Sequence, residues 1–90
     1  MLKIEFTGQD KRDYKAAVKR GGKPELLEEV MTELAAQRPL AAKYRDHSLS
    51  GKYRGMRECH ILPDWLLVYQ VDGGALILRM VRTGSHSDLF

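Results

Sequence analysis

Cysteine is almost missing from this 90-residue chain: Cys59 stands alone, which excludes an intramolecular disulfide and any multi-cysteine zinc cage. Long hydrophobic runs are missing too. The longest uninterrupted one, Trp65 to Tyr69, falls far short of the roughly 20 residues that span a bilayer. Glu5 near the N-terminus does not fit a secretion signal, so a cytoplasmic protein with no membrane partner is expected. No internal repeat, linker or low-complexity stretch interrupts the chain. What remains is globular in composition, with 43% hydrophobic and 30% charged residues, and the length allows one domain spanning residues 1–90.

Charge is unevenly placed. Acidic and basic residues cancel in residues 1–37, so the whole net charge of +3 lies in residues 38–90, together with His47, His60 and His86. Arginine dominates the cations there, and its planar fork suits phosphate better than a lysine point charge does. A polyanion is the first partner to consider.

Alternation of Leu2, Ile4 and Phe6 with Lys3 and Glu5 predicts a short half-buried strand. Thr7-x-x-Asp10 then opens a basic helix with Tyr14, Ala17 and Val18 on one face, ending at Gly21-Gly22. Pro24 fits the first turn of a second helix, whose Leu27, Val30, Met31, Leu34 and Ala35 form an apolar stripe and which must end before Pro39. No period persists from Pro39 to Gly55, which reads as a long loop with mostly basic charges. From Met56 to Leu62 the pattern is mixed, but Trp65–Val71 and Ala75–Val81 are β-rich runs; with Pro63-Asp64 and Asp72-Gly73-Gly74 as the separators, the three predict an antiparallel meander. Ser85 can open a final helical turn. The expected fold is α+β, in the order β-α-α-β-β-β, with both helices on one face of a small antiparallel-rich sheet.

A hairpin centred on Gly73 would set Arg82 near Asp64 and bring His86 to the rim beside the Pro63-Asp64 turn, close to His60. Because neighbouring strand residues point to opposite faces, Cys59 and His60 cannot share a site, and Cys59 is assigned to the core. Imidazoles can accept and donate protons near neutrality, a carboxylate can tune one of them, and an arginine can hold developing negative charge. That set suits cleavage of RNA through its own 2′-OH, without metal or cofactor. Three histidines and Asp64 are also acceptable metal ligands, but they lack close ligand spacing.

Three segments, Tyr44–Gly51, Arg57–Trp65 and Arg82–Phe90, resemble the signature segments of YafQ-type toxins within the RelE/ParE superfamily. The resemblance covers about half the chain by signature and nearly all of it by element order. It implies a RelE-like fold and a bacterial type II toxin: an endoribonuclease that cuts mRNA in the ribosomal A site and is silenced by a cognate antitoxin. It places proton transfer on His47, His60, Asp64 and His86. Because His86 follows the strand that carries Arg82 and His60 and Asp64 flank the turn opposite, His86 is the expected acid to the 5′ oxygen, either His60 or Asp64 takes the 2′-OH proton, and His47 orients or assists. Arg82 would contact phosphate and Phe90 would end the site. Arg57 and Trp65, in the second segment, are further candidates for substrate contact, although Trp65 opens an apolar strand and also suits packing. The first helix can be a solvated face or a contact to ribosomal RNA. The competing reading is a binding toxin of the same fold, such as a topoisomerase inhibitor, which would have no need for three imidazoles around an arginine and a carboxylate.

Overall fold

The computed structural model describes Met1–Phe90, and its elements follow the expected order with one addition. Strand β1 (Lys3–Phe6) leads into helices α1 (Gly8–Lys19) and α2 (Pro24–Ala35). Strands β2 (His47–Ser48), β3 (Arg57–Leu62), β4 (Trp65–Asp72) and β5 (Ile77–Gly84) follow, then a terminal turn of helix, α3 (His86–Leu89). The sheet runs β1-β5-β4-β3-β2, with β1 parallel to β5 and every other pair antiparallel. No helix is long and apolar enough to cross a membrane.

Local chemistry fixes the helix starts. The Thr7 hydroxyl oxygen accepts the Asp10 N–H at 2.9 Å and donates its own proton to the Val81 carbonyl at 2.8 Å, so one side chain both caps α1 and fastens it to the sheet. Pro24 opens α2, where its missing N–H is no loss. Beyond the end of β1, α1 runs along the edge of β5. Asp13 accepts from Thr83 N–H and Arg82, and farther on Arg20 pairs with Asp88, so this part of the edge is not left bare.

Strand β4 is buried on both faces, which is why Trp65–Tyr69 reads as a continuous apolar run. Toward the helices lie Trp65, Leu67 and Tyr69 with Cys59, Ile61, Leu78 and Met80, packed against Leu27, Val30 and Leu34 of α2. Toward the other face, Leu66 and Val68 meet Tyr53 and Leu89 in a smaller cluster. This second cluster anchors α3.

Two expectations are corrected here. The stretch from Pro39 to Gly55 is not featureless: it holds two short 3₁₀ turns and strand β2, whose two residues pair with Arg57 and Glu58. Such a short polar strand has no period of its own and exists because β3 offers it an edge. The β4–β5 hairpin, secondly, is not centred on Gly73. The Asp72 carboxylate accepts from Gly74 N–H and Ala75 N–H, Leu76 adopts a φ of 58°, and β5 begins only at Ile77. A bulge near Val68 shifts the ladder further, so Arg82 lies opposite Val68 and Gly84 opposite Leu66. Arg82 is therefore not the partner of Asp64.

One buried acid sets a pH dependence. Asp10 is buried with its Oδ1 unpartnered, and burial, helped by the nearby Asp13 charge, pushes its carboxyl up to about 6. A folded value above the unfolded one means that the native state binds the extra proton, so Asp10 stabilises least above about pH 6. Asp10→Asn is expected to raise stability at pH 7 by on the order of 1–3 kcal/mol, with the gain shrinking toward pH 4. Urea titrations at the two pH values check this; an equal gain at both contradicts it.

Candidate active site

On β3 the side chains alternate as expected: Cys59 and Ile61 enter the helix-side core, while Glu58 and His60 turn to the other face. The Cys59 thiol is fully buried and pushed up to about 12 by desolvation, then by the Asp46 and Glu58 charges, which leaves it inert as a nucleophile. Strand β2 brings His47 directly opposite Glu58. Helix α3 brings His86 over the Pro63-Asp64 turn.

The three imidazoles do converge. Ring centroids of His47 and His60 are 6.5 Å apart, and those of His60 and His86 are 5.6 Å apart. One oxygen of Asp64 accepts both the His86 backbone N–H and its Nδ1–H, each at 3.1 Å. These bonds, the backbone one first, hold the exposed Asp64 carboxyl below its usual value. Through Oδ1, Asp64 thus orients His86. With Nδ1 donating to Asp64, the His86 Nε2 is the free nitrogen.

Helix α3 is short, yet its position is tightly specified. Ser85 and Asp88 form a reciprocal capping box, Asp88 also pairs with Arg20 at 2.7 Å, and Leu89 is buried. Arg20 first, and then the Ser85 N–H, draw the Asp88 carboxyl well below the ordinary carboxylate range. Gly84 is required at this corner because a Cβ there would stand 2.8 Å from Asp88 Oδ2.

Trp65 and Arg57 turn to the helix side, away from this rim, whereas Arg82 shares the sheet face of Glu58 and lies across Val68 from it. Asp13 takes Arg82 Nε at 2.9 Å and Nη2 at 3.0 Å, raising the guanidinium pKa and leaving Nη1 unclaimed. Burial alone would push Asp13 up, but hydrogen bonds from Arg82, Gln9 and the Thr83 N–H together hold it below its usual value. The Tyr53 hydroxyl lies beside Arg82 but is buried without a well-aligned partner. Trp65 takes the packing role rather than the substrate contact: it is 6% exposed, its Nε1–H donates to Thr83 Oγ1 at 2.9 Å, and it belongs to the helix-side core. No ring face is left for a base. Arg57 sits on the same side of β3 as Cys59, opposite His60, and its Nε donates to Asp46 at 3.2 Å. Tyr69 also donates to Asp46, at 2.5 Å, so Arg57 and Tyr69 together moor the loop that carries His47. Phe90 is 63% exposed and packs edge-on against Tyr53 at 5.6 Å.

A residue not chosen from the sequence is Glu58. It is 4% exposed, with Oε1 at 3.5 Å from His47 Nε2 and 3.6 Å from His60 Nε2. Its signal was the i, i+2 spacing to His60, which on a strand sets both on one face. No group of three or more His, Cys, Asp or Glu side chains is arranged to hold a metal ion.

A small α+β sheet protein with three imidazoles and two carboxylates on one rim is equipped for proton transfer on a substrate laid across that rim. The family described as "Bacterial toxin of type II toxin-antitoxin system, YafQ" matches residues 2–90, and the chain belongs to this family. An Escherichia coli K12 protein described as mRNA interferase toxin YafQ is 42% identical over 88 residues, 97% of this chain and 94% of that protein. Among solved structures, a metal-bound toxin from Helicobacter pylori superposes with a TM-score of 0.94 at 48% identity, covering 100% of both chains. The toxin-like chain of the E. coli DinJ-YafQ complex superposes with a TM-score of 0.89 at 40% identity, over 100% of this chain and 99% of that one.

Proposed function

We propose that this protein is a cytoplasmic endoribonuclease that cuts mRNA in the ribosomal A site and is neutralised by a cognate antitoxin. The observation that carries this reading is the convergence of His47, His60 and His86 beside Asp64, within reach of a single phosphodiester. His60 takes the 2′-OH proton, the resulting oxyanion attacks the adjacent phosphorus, and the P–O5′ bond breaks. His86, aimed by Asp64, supplies the proton to the departing 5′ oxygen through Nε2. The products are a 2′,3′-cyclic phosphate and a 5′-hydroxyl. His47 assists from the loop side. Arg82 offers Nη1 to a phosphate oxygen while Asp13 steadies the rest of the guanidinium. Phe90 offers an exposed ring for stacking.

The partner readings rest on family likeness and on charge. A relative is recorded in a DinJ-YafQ toxin-antitoxin complex, and the cationic part of this chain suits an acidic, foldable segment. Exposed Lys11, Lys15 and Lys19 on α1 suit ribosomal RNA.

Induction of the gene in growing cells, with and without its neighbouring open reading frame, tests these assignments. The expected result is growth arrest with new mRNA 5′ ends inside translated frames, both relieved by the neighbour. Arrest without such ends would favour the non-enzymatic binding toxin. Breaks that persist in an Arg82→Ala protein would remove Arg82 from the site.

A further inference from the structure

Strand β2 pairs only with Arg57 and Glu58, so the outer edge of β3 is open beyond them. No backbone hydrogen bond outside the strand ladders reaches Cys59 to Leu62. A cavity of about 520 Å³ lies along this edge, walled by Leu26 and Glu29 of α2, Tyr44 and Arg45 of the loop, and His60 and Leu62 of β3. That volume is in the range of small-ligand sites. An open strand edge offers main-chain donors and acceptors to whatever enters, and Leu26 and Leu62 add apolar flanks. Cations outnumber the carboxylate of Glu29: besides Arg45, Lys43 lines the cavity, with its ammonium 5.0 Å over the Tyr44 ring.

Two residues join this cavity to the imidazole rim. His60 belongs to both. Arg45 has a φ of 49°, a left-handed conformation that is costly for a residue with a Cβ, and its carbonyl meets His47 Nδ1 at 2.7 Å while the residue lines the cavity.

We propose that this cavity is the base subsite for the nucleotide 5′ of the cut, the one whose 2′-OH attacks. The inference rests on the nuclease function proposed above, which sets the direction of the RNA. His86 serves the departing 5′ oxygen at the α3 end of the rim and His60 meets the 2′-OH, so the sugar on the His60 side belongs to the 5′ nucleotide. Its base, splayed out as single-stranded RNA allows, enters the cavity beside His60. There the β3 edge hydrogen-bonds the base, Leu62 covers it, and Lys43 and Arg45 meet the phosphate on its 5′ side. An extended peptide can also add to an open edge, but this one stops at the Pro63-Asp64 turn and is too short for a strong ladder.

Single-turnover cleavage on programmed ribosomes tests the proposal with two mRNAs, identical except that one is abasic at the nucleotide 5′ of the cut. Wild type is compared with Leu62→Trp, which fills the cavity from an exposed position, and with Arg45→Asn, which removes the cation but tolerates the left-handed turn. Wild type should cut the abasic mRNA roughly tenfold to hundredfold more slowly, the range over which one pocket contact discriminates. Leu62→Trp should cut both mRNAs near the slower rate, with the ratio collapsed. Arg45→Asn should slow both alike, because both carry the phosphate. A wild-type ratio near one, or a ratio that Leu62→Trp leaves unchanged, would overturn the proposal. So would a Leu62→Trp protein that keeps normal cleavage but loses its antitoxin, which would make the edge a peptide site.

Amide NMR of the wild-type protein with a short, uncleavable 2′-methoxy RNA reads the site without any variant. Shifts should gather on Arg45 and on Cys59 to Leu62, and shifts confined to other surfaces would overturn the proposal. Protein that cuts no programmed ribosome while RNA still moves these amides would refute the nuclease reading and leave the nucleotide site standing.

Discussion

His86→Ala is expected to slow single-turnover cleavage by about 10²- to 10⁴-fold, the usual contribution of one positioned acid or base. The imidazole is more than half exposed, and α3 is held by groups other than that ring: the Ser85–Asp88 capping box, the Arg20–Asp88 pair and the burial of Leu89. Removing the ring therefore should leave the fold and the thermal midpoint close to wild type. Asp64→Asn should produce a smaller loss, because the amide can still meet the His86 backbone N–H while the carboxylate that orients Nδ1–H is gone. An oligonucleotide with a good leaving group at the 5′ position separates the roles. If His86 is the acid, this substrate should regain most of the lost rate with His86→Ala but not with His60→Ala. Equal rescue of both variants would remove the acid assignment.

The same local order explains why so much of the fold was legible. Helices α1 and α2 and strands β1 and β4 each carry a period or a cap inside a dozen residues, and Thr7, Pro24 and the run Trp65–Tyr69 act as read. The α+β class, the helix pair on one face and the outward turn of His60 followed from these. The alternation that sent Cys59 inward also settled its chemistry, because a fully buried thiol stays protonated.

Long-range or side-chain-built features were not legible. Strand β2 depends on an edge offered by β3, and its sequence, His47-Ser48, carries no β signal. The β4–β5 register turned on how the Asp72 carboxylate shapes its loop and on a bulge near Val68, neither of which the Asp-Gly-Gly cue specifies. Once that register moved, Arg82 left the neighbourhood of Asp64. Its real partner, Asp13, is 69 residues away in sequence and is reached only because α1 follows the edge of β5. Arg57 and Trp65 share a signature segment with His60, but strand alternation and burial place both on the helix side, where one moors a loop and the other fills the core. Glu58 was visible as a strand neighbour of His60, but its significance required β2 to deliver His47 to the same oxygen.

The rim of His47, His60 and His86 has a defined chemical signature, because internal attack by the 2′-OH leaves ends that an activated water does not. The most direct measurement uses programmed ribosomes carrying mRNA with a single 2′-methoxy group at the scissile nucleotide, in the presence of a chelator, with end-group analysis of any product. The account predicts full cleavage of the unmodified mRNA to a 2′,3′-cyclic phosphate, unaffected by the chelator, and no cleavage at the modified position. Cleavage that survives the 2′-methoxy group, or that the chelator abolishes, would contradict it and point to a metal-activated water as the attacking group.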